Sequence, residues 1–330
     1  MRVVFMGTPD FATPALRSLI ESRHDVLAVV TQPDKEAGRG RRLREPAVKE
    51  LARDAGIREI LQPERLRDEA FAQRLARLTP DAIVVVAYGK ILPPSLLALP
   101  RWGCVNLHAS LLPRHRGAGP VHRAIIEGDA ETGVTIMKMD EGMDTGDIIA
   151  QETVPILEDD DALSLSNMLS VVGAKMLLAV LDEADRAGEG FRGRPQDESL
   201  ATYAPPLKKE DGWIDWRQTT NAIMRLVRGL TPKPGAYTTS SRGILKVFRI
   251  ECLPDDEADC VENSEGVEPG TVALIHKALG VVVRTGDGFL LLTGVQPEGK
   301  NAMSGVDLAN GKYTRKGDHL GVPDNPRTSS

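Results

Sequence analysis

The stretch "DAIVVVAYGKILPPSLLALPRWGCVNLHA", residues 81–109, sets the architecture. It carries two short apolar runs, "DAIVVVAYG" at 81–89 and "GCVNLHA" at 103–109. A strand with one wet face alternates polar and apolar residues. A strand that is apolar throughout lies inside a parallel sheet with helices on both faces. Two similar runs come earlier, "RVVFMG" at 2–7 and "DVLAVVTQ" at 25–32. Segments with helical spacing lie between the runs: "DFATPALRSLIES", then "EPAVKELARDAG", then "PERLRDEAFAQRLARL". In the second of these Pro46 suits the first helical position and Gly56 marks the stop. Apolar strands alternating with helices indicate an α/β domain with a Rossmann-like layout.

Downstream the pattern shifts. "TGVTIMKMD" at 132–140 and "GDIIAQETVPI" at 146–156 follow closely and read as a hairpin or added edge strands. A long amphipathic helix then closes a first domain, 1–188. Residues 189–208, "EGFRGRPQDESLATYAPPLK", have the proline, glycine and polar content of a linker. In a second domain, 209–320, a loop and helix precede the short runs "GAYTTS", "GILKVFRIECL", "GTVALIHKA", "LGVVVRTGDG" and "FLLLTGVQP". Gly-Asp-Gly at 286–288 suits a hairpin turn, and the whole suggests a small β-barrel. The acidic segment 255–266 reads as an exposed loop and 321–330 as a flexible tail.

Composition narrows the function. A chain of 330 residues suits two domains. The net charge of −6 argues against a globally basic nucleic-acid binder, so any polyanion contact must be local. Three cysteines, an odd number without metal-ligand spacing, point to a reducing compartment and no disulfide framework. The first apolar run is broken by Gly7 and Pro9, too soon for a secretory signal. No apolar stretch reads as a membrane span of about 18–20 residues, so a cytoplasmic protein without membrane contact is expected. The first strand leads into "MGTPDFATP" rather than Gly-x-Gly-x-x-Gly, which argues against NAD. No metal-binding motif is present.

Within "GCVNLHA", Asn106 and His108 are two apart, so they share one face of the strand. They lie near its C-terminal end, where open α/β sheets usually bind ligands. Either residue alone reads as a turn cap or a satisfied core group; the pair, so placed, is a candidate site. A third candidate lies in "MDEGMDTGDI", 139–148. Asp140, Glu141 and Asp147 read there as a solvated turn, while Asp144 lies between Gly142 and Gly146, where the backbone can bend toward a site. Asn, His and Asp without a nucleophilic Ser or Cys suit acyl transfer to a nucleophile supplied by the substrate. An amide and an imidazole can donate to an oxygen becoming negative, and a His–Asp pair can move protons.

The segments "MGTPDFA", "TQPD", "AGRG", "VVAYG", "NLHASLLPRHRGAGP" and "ETGVTIMKMDEGMDTGDI" together resemble the methionyl-tRNA formyltransferases. The resemblance runs from residue 2 to about 310. Asn-x-His-x-Ser-Leu-Leu-Pro with Asp144 marks the wider folate-dependent formyltransferase group. "TQPDKEAGRGRRL" and "GWIDW" narrow it. The resemblance implies a Rossmann-like first domain and an OB-like second domain that helps hold tRNA. It implies transfer of a formyl group from 10-formyltetrahydrofolate to the amine of methionyl initiator tRNA; a monomer without metal is expected. It implies that Asn106, His108 and Asp144 are catalytic, and that Ser110, Leu111, Leu112 and Pro113 lie against the folate. Ala87, Tyr88, Gly89 and Ile91, within "VAYGKILP", would offer backbone groups to its pterin ring. Three positions depart from the family pattern: His115 and Lys233 replace usual aromatics, and Glu36 stands where Pro is frequent.

The run "DKEAGRGRRLREPAVK" at 34–49 concentrates Lys35, Arg39, Arg41, Arg42, Arg44 and Lys49 in one loop. Such runs are usually solvated surface. On an acidic chain with this resemblance, Arg39 and Arg42 are the expected tRNA contacts. Competing readings are a sugar-nucleotide or glycinamide ribonucleotide formyltransferase, a formyltetrahydrofolate hydrolase, and a binding protein without turnover.

Overall fold

The computed structural model describes residues 1–37, 42–253, 261, 266–276 and 278–321. Arg39, nearly all of the acidic segment 255–266, and tail residues 322–330 lie outside these. The chain divides into two compact units. One comprises Met1–Val121, Ala130–Ile156 and Ser164–Pro205; the other comprises His122–Asp129, Leu157–Leu163 and Pro206–Ser330.

The first unit contains strands β1 (Arg2–Gly7), β2 (Asp25–Val30), β3 (Lys35–Ala37), β4 (Arg42–Arg44), β5 (Ile60–Leu61), β6 (Ala82–Val86), β7 (Cys104–His108), β8 (Glu131–Lys138) and β9 (Ile148–Pro155). Seven of them form one sheet in the order β5-β2-β1-β6-β7-β8-β9. Neighbours from β5 to β7 are parallel, while β7–β8 and β8–β9 are antiparallel. The expected Rossmann-like sheet with a hairpin added at its edge is therefore present. Alternation sorts its side chains. Val3, Phe5, Val84, Val105 and Leu107 pack on one face, with Leu16 and Leu19 of α1 (Thr13–Ile20), Val48 and Ala52 of α2 (Ala47–Asp54), and the long C-terminal helix of this unit. Val4, Met6, Ile83, Val85 and Cys104 pack on the other face, with Phe71 and Leu75 of α3 (Glu69–Arg77) and Leu96 of α4 (Pro94–Leu97).

Helix α5 (Pro120–Glu127) precedes β8, and α6 (Ala162–Ala187) is the long helix on the first face. By length and composition α6 is the one helix among the described residues that could cross a membrane. Its Ala174, Leu177, Val180, Leu181 and Ala184 are buried on the sheet, as in a core helix, so the sequence reading of an amphipathic helix fits its packing.

Several local expectations change. The third helix, expected from spacing over 63–78, begins only at Glu69, where the Asp68 side chain accepts from the Ala70 amide. The basic run is not simply a loop, because β3 and β4 pair antiparallel, Lys35 opposite Arg44 and Ala37 opposite Arg42. Strand β5 and helix α4 leave no sequence signal. At two and four residues they are too short to show a period.

In the second unit, α7 (Thr220–Leu230) and α8 (Gly305–Asn310) accompany six antiparallel strands: β10 (Ala236–Ser240), β11 (Gly243–Cys252), β12 (Val272–His276), β13 (Gly280–Arg284), β14 (Phe289–Pro297) and β15 (Met303–Ser304). Their order is β10-β11-β14-β13-β12, with β15 on β14. The turn at 286–288 joins β13 to β14, and the Thr285 amide donates to the Gly288 carbonyl at 2.9 Å. Ile223, Val227 and Leu230 of α7 pack on Leu245, Val247, Val283, Leu292 and Val295. The named strands form an open path, yet both of its ends bridge to one segment: Thr239 pairs with Gly321 and Thr271 with His319. That arrangement is compatible with the expected OB-like barrel.

Candidate active site

The C-terminal ends of β6 and β7 lie side by side, with Val85 opposite Asn106 and Val86 opposite Leu107. On β7 the odd positions face α6, while Cys104 packs on the opposite face. Asn106 and His108 therefore follow Cys104 on that opposite face, Asn106 half-buried and His108 6% exposed. Burial raises the Cys104 thiol to about 12, so it stays a neutral packing group beneath them.

The His108 ring is held from two sides. Its Nε2 lies 3.0 Å from the His115 carbonyl, and its Nδ1 lies 3.7 Å from Asp144 Oδ2. The first is a hydrogen bond that fixes the ring. The second is a charge contact slightly wider than a direct bond. Asp144 Oδ2 also accepts the Gly117 amide at 2.8 Å, which leaves the carboxylate further acceptor capacity. The expected trio thus comes together: Asn106 and His108 share a face, and Asp144 reaches the His108 ring.

Two loops carry these contacts. The loop after β7 turns at Ser110, whose hydroxyl donates to the Arg114 carbonyl at 2.6 Å. Buried Thr135 of β8 stitches it down, donating to the Ser110 carbonyl at 2.6 Å and accepting from the Leu112 amide at 3.1 Å. Leu112 is buried against Met137 and Ile148, and the Leu112–Pro113 peptide is cis. Of the expected folate contacts here, Ser110 and Leu112 serve the turn itself, while Leu111 and Pro113 are half-buried. The second loop joins β8 to β9. Asp140 shapes it, accepting from the Thr145 hydroxyl at 2.7 Å and the Gly142 amide at 3.0 Å. Gly146 is required there because an added Cβ would lie 1.7 Å from the Lys138 carbonyl.

His115 (φ 57°) and Asp144 (φ 56°) both hold left-handed backbone, as does Ala87 (φ 46°) after β6. Non-glycine residues rarely adopt this region, and such strain concentrates at functional sites. After β6, Ala87, Gly89 and Ile91 are exposed while Tyr88 is buried, its phenol raised by burial to about 12. The Tyr88 carbonyl is engaged by Gln32 Nε2 at 3.0 Å and Thr8 Oγ1 at 3.3 Å. Ala87, Gly89 and Ile91 are thus solvent-exposed beyond the end of β6, whereas the Tyr88 carbonyl already has partners.

The basic segment also differs from expectation in how its charges pair. Lys49 pairs with Asp34 at 2.7 Å and with Glu45 at 3.0 Å, so it is committed within the unit. Hydrogen bonds from Gln62 and then Lys49 hold the Asp34 carboxyl below the usual range. Arg42 lies on β4, and Arg39 lies outside the described residues. Among the described residues no group of three or more His, Cys, Asp or Glu could hold a metal ion.

Sequence reasoning missed the role of 194–204. Arg194 pairs with Ile148, extending the edge beside the Asp144 loop. The Thr202 hydroxyl accepts from the His115 amide at 2.8 Å, and the Ala204 amide donates to the Arg116 carbonyl at 2.7 Å. Gly117 (φ 119°) runs so close to this segment that an added Cβ would lie 2.7 Å from the Ala204 carbonyl. Proline and polar residues give the stretch the composition of a linker, and no periodicity marks a segment held by irregular backbone bonds.

A family model described as "Formyl transferase" matches residues 1–181, and one described as "Formyl transferase, C-terminal domain" matches residues 206–313. A methionyl-tRNA formyltransferase from Pelotomaculum thermopropionicum is 44% identical over 321 residues, covering 97% of this chain and 99% of that protein. One from Geobacter metallireducens is 45% identical with the same coverage. Among solved structures, HypX from Aquifex aeolicus in complex with tetrahydrofolic acid gives a TM-score of 0.65 at 19% identity. The match covers 93% of this chain, which spans about half of that protein, 46% of its length. An N-formyltransferase from Helicobacter canadensis, in complex with folinic acid and dTDP-3-aminofucose, gives 0.62 at 15% identity, covering 88% of this chain and 98% of that one. These two likenesses concern the fold; the sequence matches carry the family. The chain belongs to the formyl transferase family, among the methionyl-tRNA formyltransferases.

Proposed function

We propose that this protein transfers the formyl group of 10-formyltetrahydrofolate to the α-amine of methionyl initiator tRNA. The observation that carries the reading is the meeting of Asp144 with His108 at 3.7 Å, beside Asn106, at the end of a central strand. Membership of the methionyl-tRNA formyltransferases selects the amine. The folate derivative supplies the one-carbon unit as a substrate. The exposed residues Ala87, Gly89 and Ile91 and the half-buried Leu111 and Pro113 receive it.

The chain's own groups do the rest. Asn106 donates a hydrogen bond to the formyl oxygen as negative charge builds there. His108, fixed through Nε2 by the His115 carbonyl, turns its Nδ1 toward the same space. The 3.7 Å gap to Asp144 leaves an Nδ1 proton able to reach a substrate oxygen. Asp144 balances positive charge on the ring and takes a proton from the attacking amine, while the formyl carbon–N10 bond breaks and the N10 nitrogen of tetrahydrofolate leaves carrying a proton. A free α-amine has a pKa of about 7.7–8.0, so a useful fraction is neutral near pH 7. The second unit and the basic segment hold the tRNA. The protein acts as a cytoplasmic monomer, and light scattering should give the mass of one chain.

Formyl transfer to charged initiator tRNA, compared with small amines and with water, tests the reading. Asn106→Ala, His108→Ala and Asp144→Ala should each lower kcat, and loss of an oxyanion donor such as Asn106 typically costs about 100–1000-fold. Near-normal turnover in all three would refute the assignment. Faster formylation of an amino sugar nucleotide than of tRNA would move the enzyme to a sister activity.

A further inference from the structure

Beyond the trio, we infer that Gln196 is a positioning residue that holds Asp144 against His108. The inference rests on the proposed role of Asp144. Gln196 Nε2 donates to two carbonyls of the loop between β8 and β9, Asp144 at 2.8 Å and Gly146 at 2.7 Å. Its Oε1 accepts from Arg116, from Nε at 3.1 Å and Nη2 at 2.8 Å. Arg116 is among the largest fully buried side chains, and its guanidinium also forms a two-armed pair with Glu198 at 2.7 and 2.8 Å.

One amide thereby joins the two loops that must meet. Arg116 follows His115, whose carbonyl fixes the His108 ring, and precedes Gly117, whose amide binds Asp144. Asp144 is held on the other side by its own carbonyl. Its strained backbone, φ 56°, needs such an external hold, because an unsupported loop relaxes out of the left-handed region. Glutamine suits the place because only an amide presents donors to two carbonyls and an acceptor to a guanidinium. The Arg116 charge orients the carboxamide, so its nitrogen faces the loop.

Double-mutant kinetics with the full-length enzyme test this, using Gln196→Met, Gln196→Glu, Asp144→Asn and the Gln196→Met/Asp144→Asn pair. Gln196→Met should lower kcat about 10- to 100-fold, the scale of a misplacement near 1 Å, with KM for the formyl donor little changed. Gln196→Glu keeps the acceptor for Arg116 but cannot donate while ionised, so it should lose as much activity while melting no lower than Gln196→Met. In the Asp144→Asn background, Gln196→Met should add little, since the group it positions is gone. Hydrogen exchange at the Gly117 amide gives a readout independent of turnover and should accelerate in Gln196→Met. A Gln196→Met enzyme within twofold of the parent, a loss that is undiminished in the Asp144→Asn background, or unchanged Gly117 exchange would each overturn the inference. High activity in Asp144→Asn would instead strike the catalytic reading, and faster Gly117 exchange would then still support the structural hold.

Discussion

Cys104 shows how a single residue near the site can be silent chemically and still report on the fold. Its thiol lies in the core and donates weakly to the Leu96 carbonyl at 3.6 Å. With the folded thiol raised to about 12, the folded state keeps a proton that the unfolded chain gives up from about pH 8.5. Its contribution to stability is complete below that pH and is lost as pH rises toward 12. Denaturation between pH 8 and 11 should therefore show stability falling by up to roughly 1.4 kcal/mol per pH unit from this group, and Cys104→Ala should flatten the curve. At pH 8 an alkylating reagent should label exposed Cys252 and spare Cys104, read by peptide mass. Labelling of Cys104 at the rate of Cys252 would mean that the core under Asn106 opens readily.

At the scale of elements, β7 is held by α6 on the face away from the site. Gly173 lets α6 approach so closely that an added Cβ would lie 2.4 Å from Leu107 Cδ1. Leu107 lies between Asn106 and His108, so pressure there moves both. Gly173→Ala should cost about 1–3 kcal/mol, as overpacking does. It should also lower kcat although residue 173 touches no substrate. A lower melting temperature with unaltered kcat would mean that β7 absorbs the strain without moving its polar face. Gly146→Ala acts on the other half of the site. Its Cβ would collide with the Lys138 backbone, so the loop carrying Asp144 must shift, and kcat should fall by at least tenfold with little change in the cooperativity of unfolding.

For the whole molecule, which carries a net charge of −6, the proposed contact with tRNA rests on the local basic segment. Removing one cation from a phosphate should reduce the slope of log affinity against log salt by about 0.7–0.9, so Arg39→Ala with Arg42→Ala should flatten tRNA binding measured across salt. An unchanged slope would remove these arginines from the interface. How far the chain can be read in advance follows from range. The apolar runs of β1, β2, β6 and β7 specify a parallel sheet because burial on both faces leaves no polar position, and that constraint is local to each strand. Asn106 and His108 are legible for a similar reason, since period two puts them on one face. The short strands of the second unit and the turn at 286–288 are legible from composition and turn chemistry. Nothing local marks the pairing of β3 with β4, the lateness of α3 or the work of residues 194–204. By itself, then, the sequence determined which runs are buried strands, the shared face of Asn106 and His108 and the family. Tertiary structure alone decided that Asp144 reaches the ring, that Lys49 is committed to Asp34 and Glu45, and that Gln196 and Arg116 tie the loops together. The physical reason is that local periodicity records which side faces a core, whereas hydrogen bonds between irregular segments far apart in the chain leave no period to read.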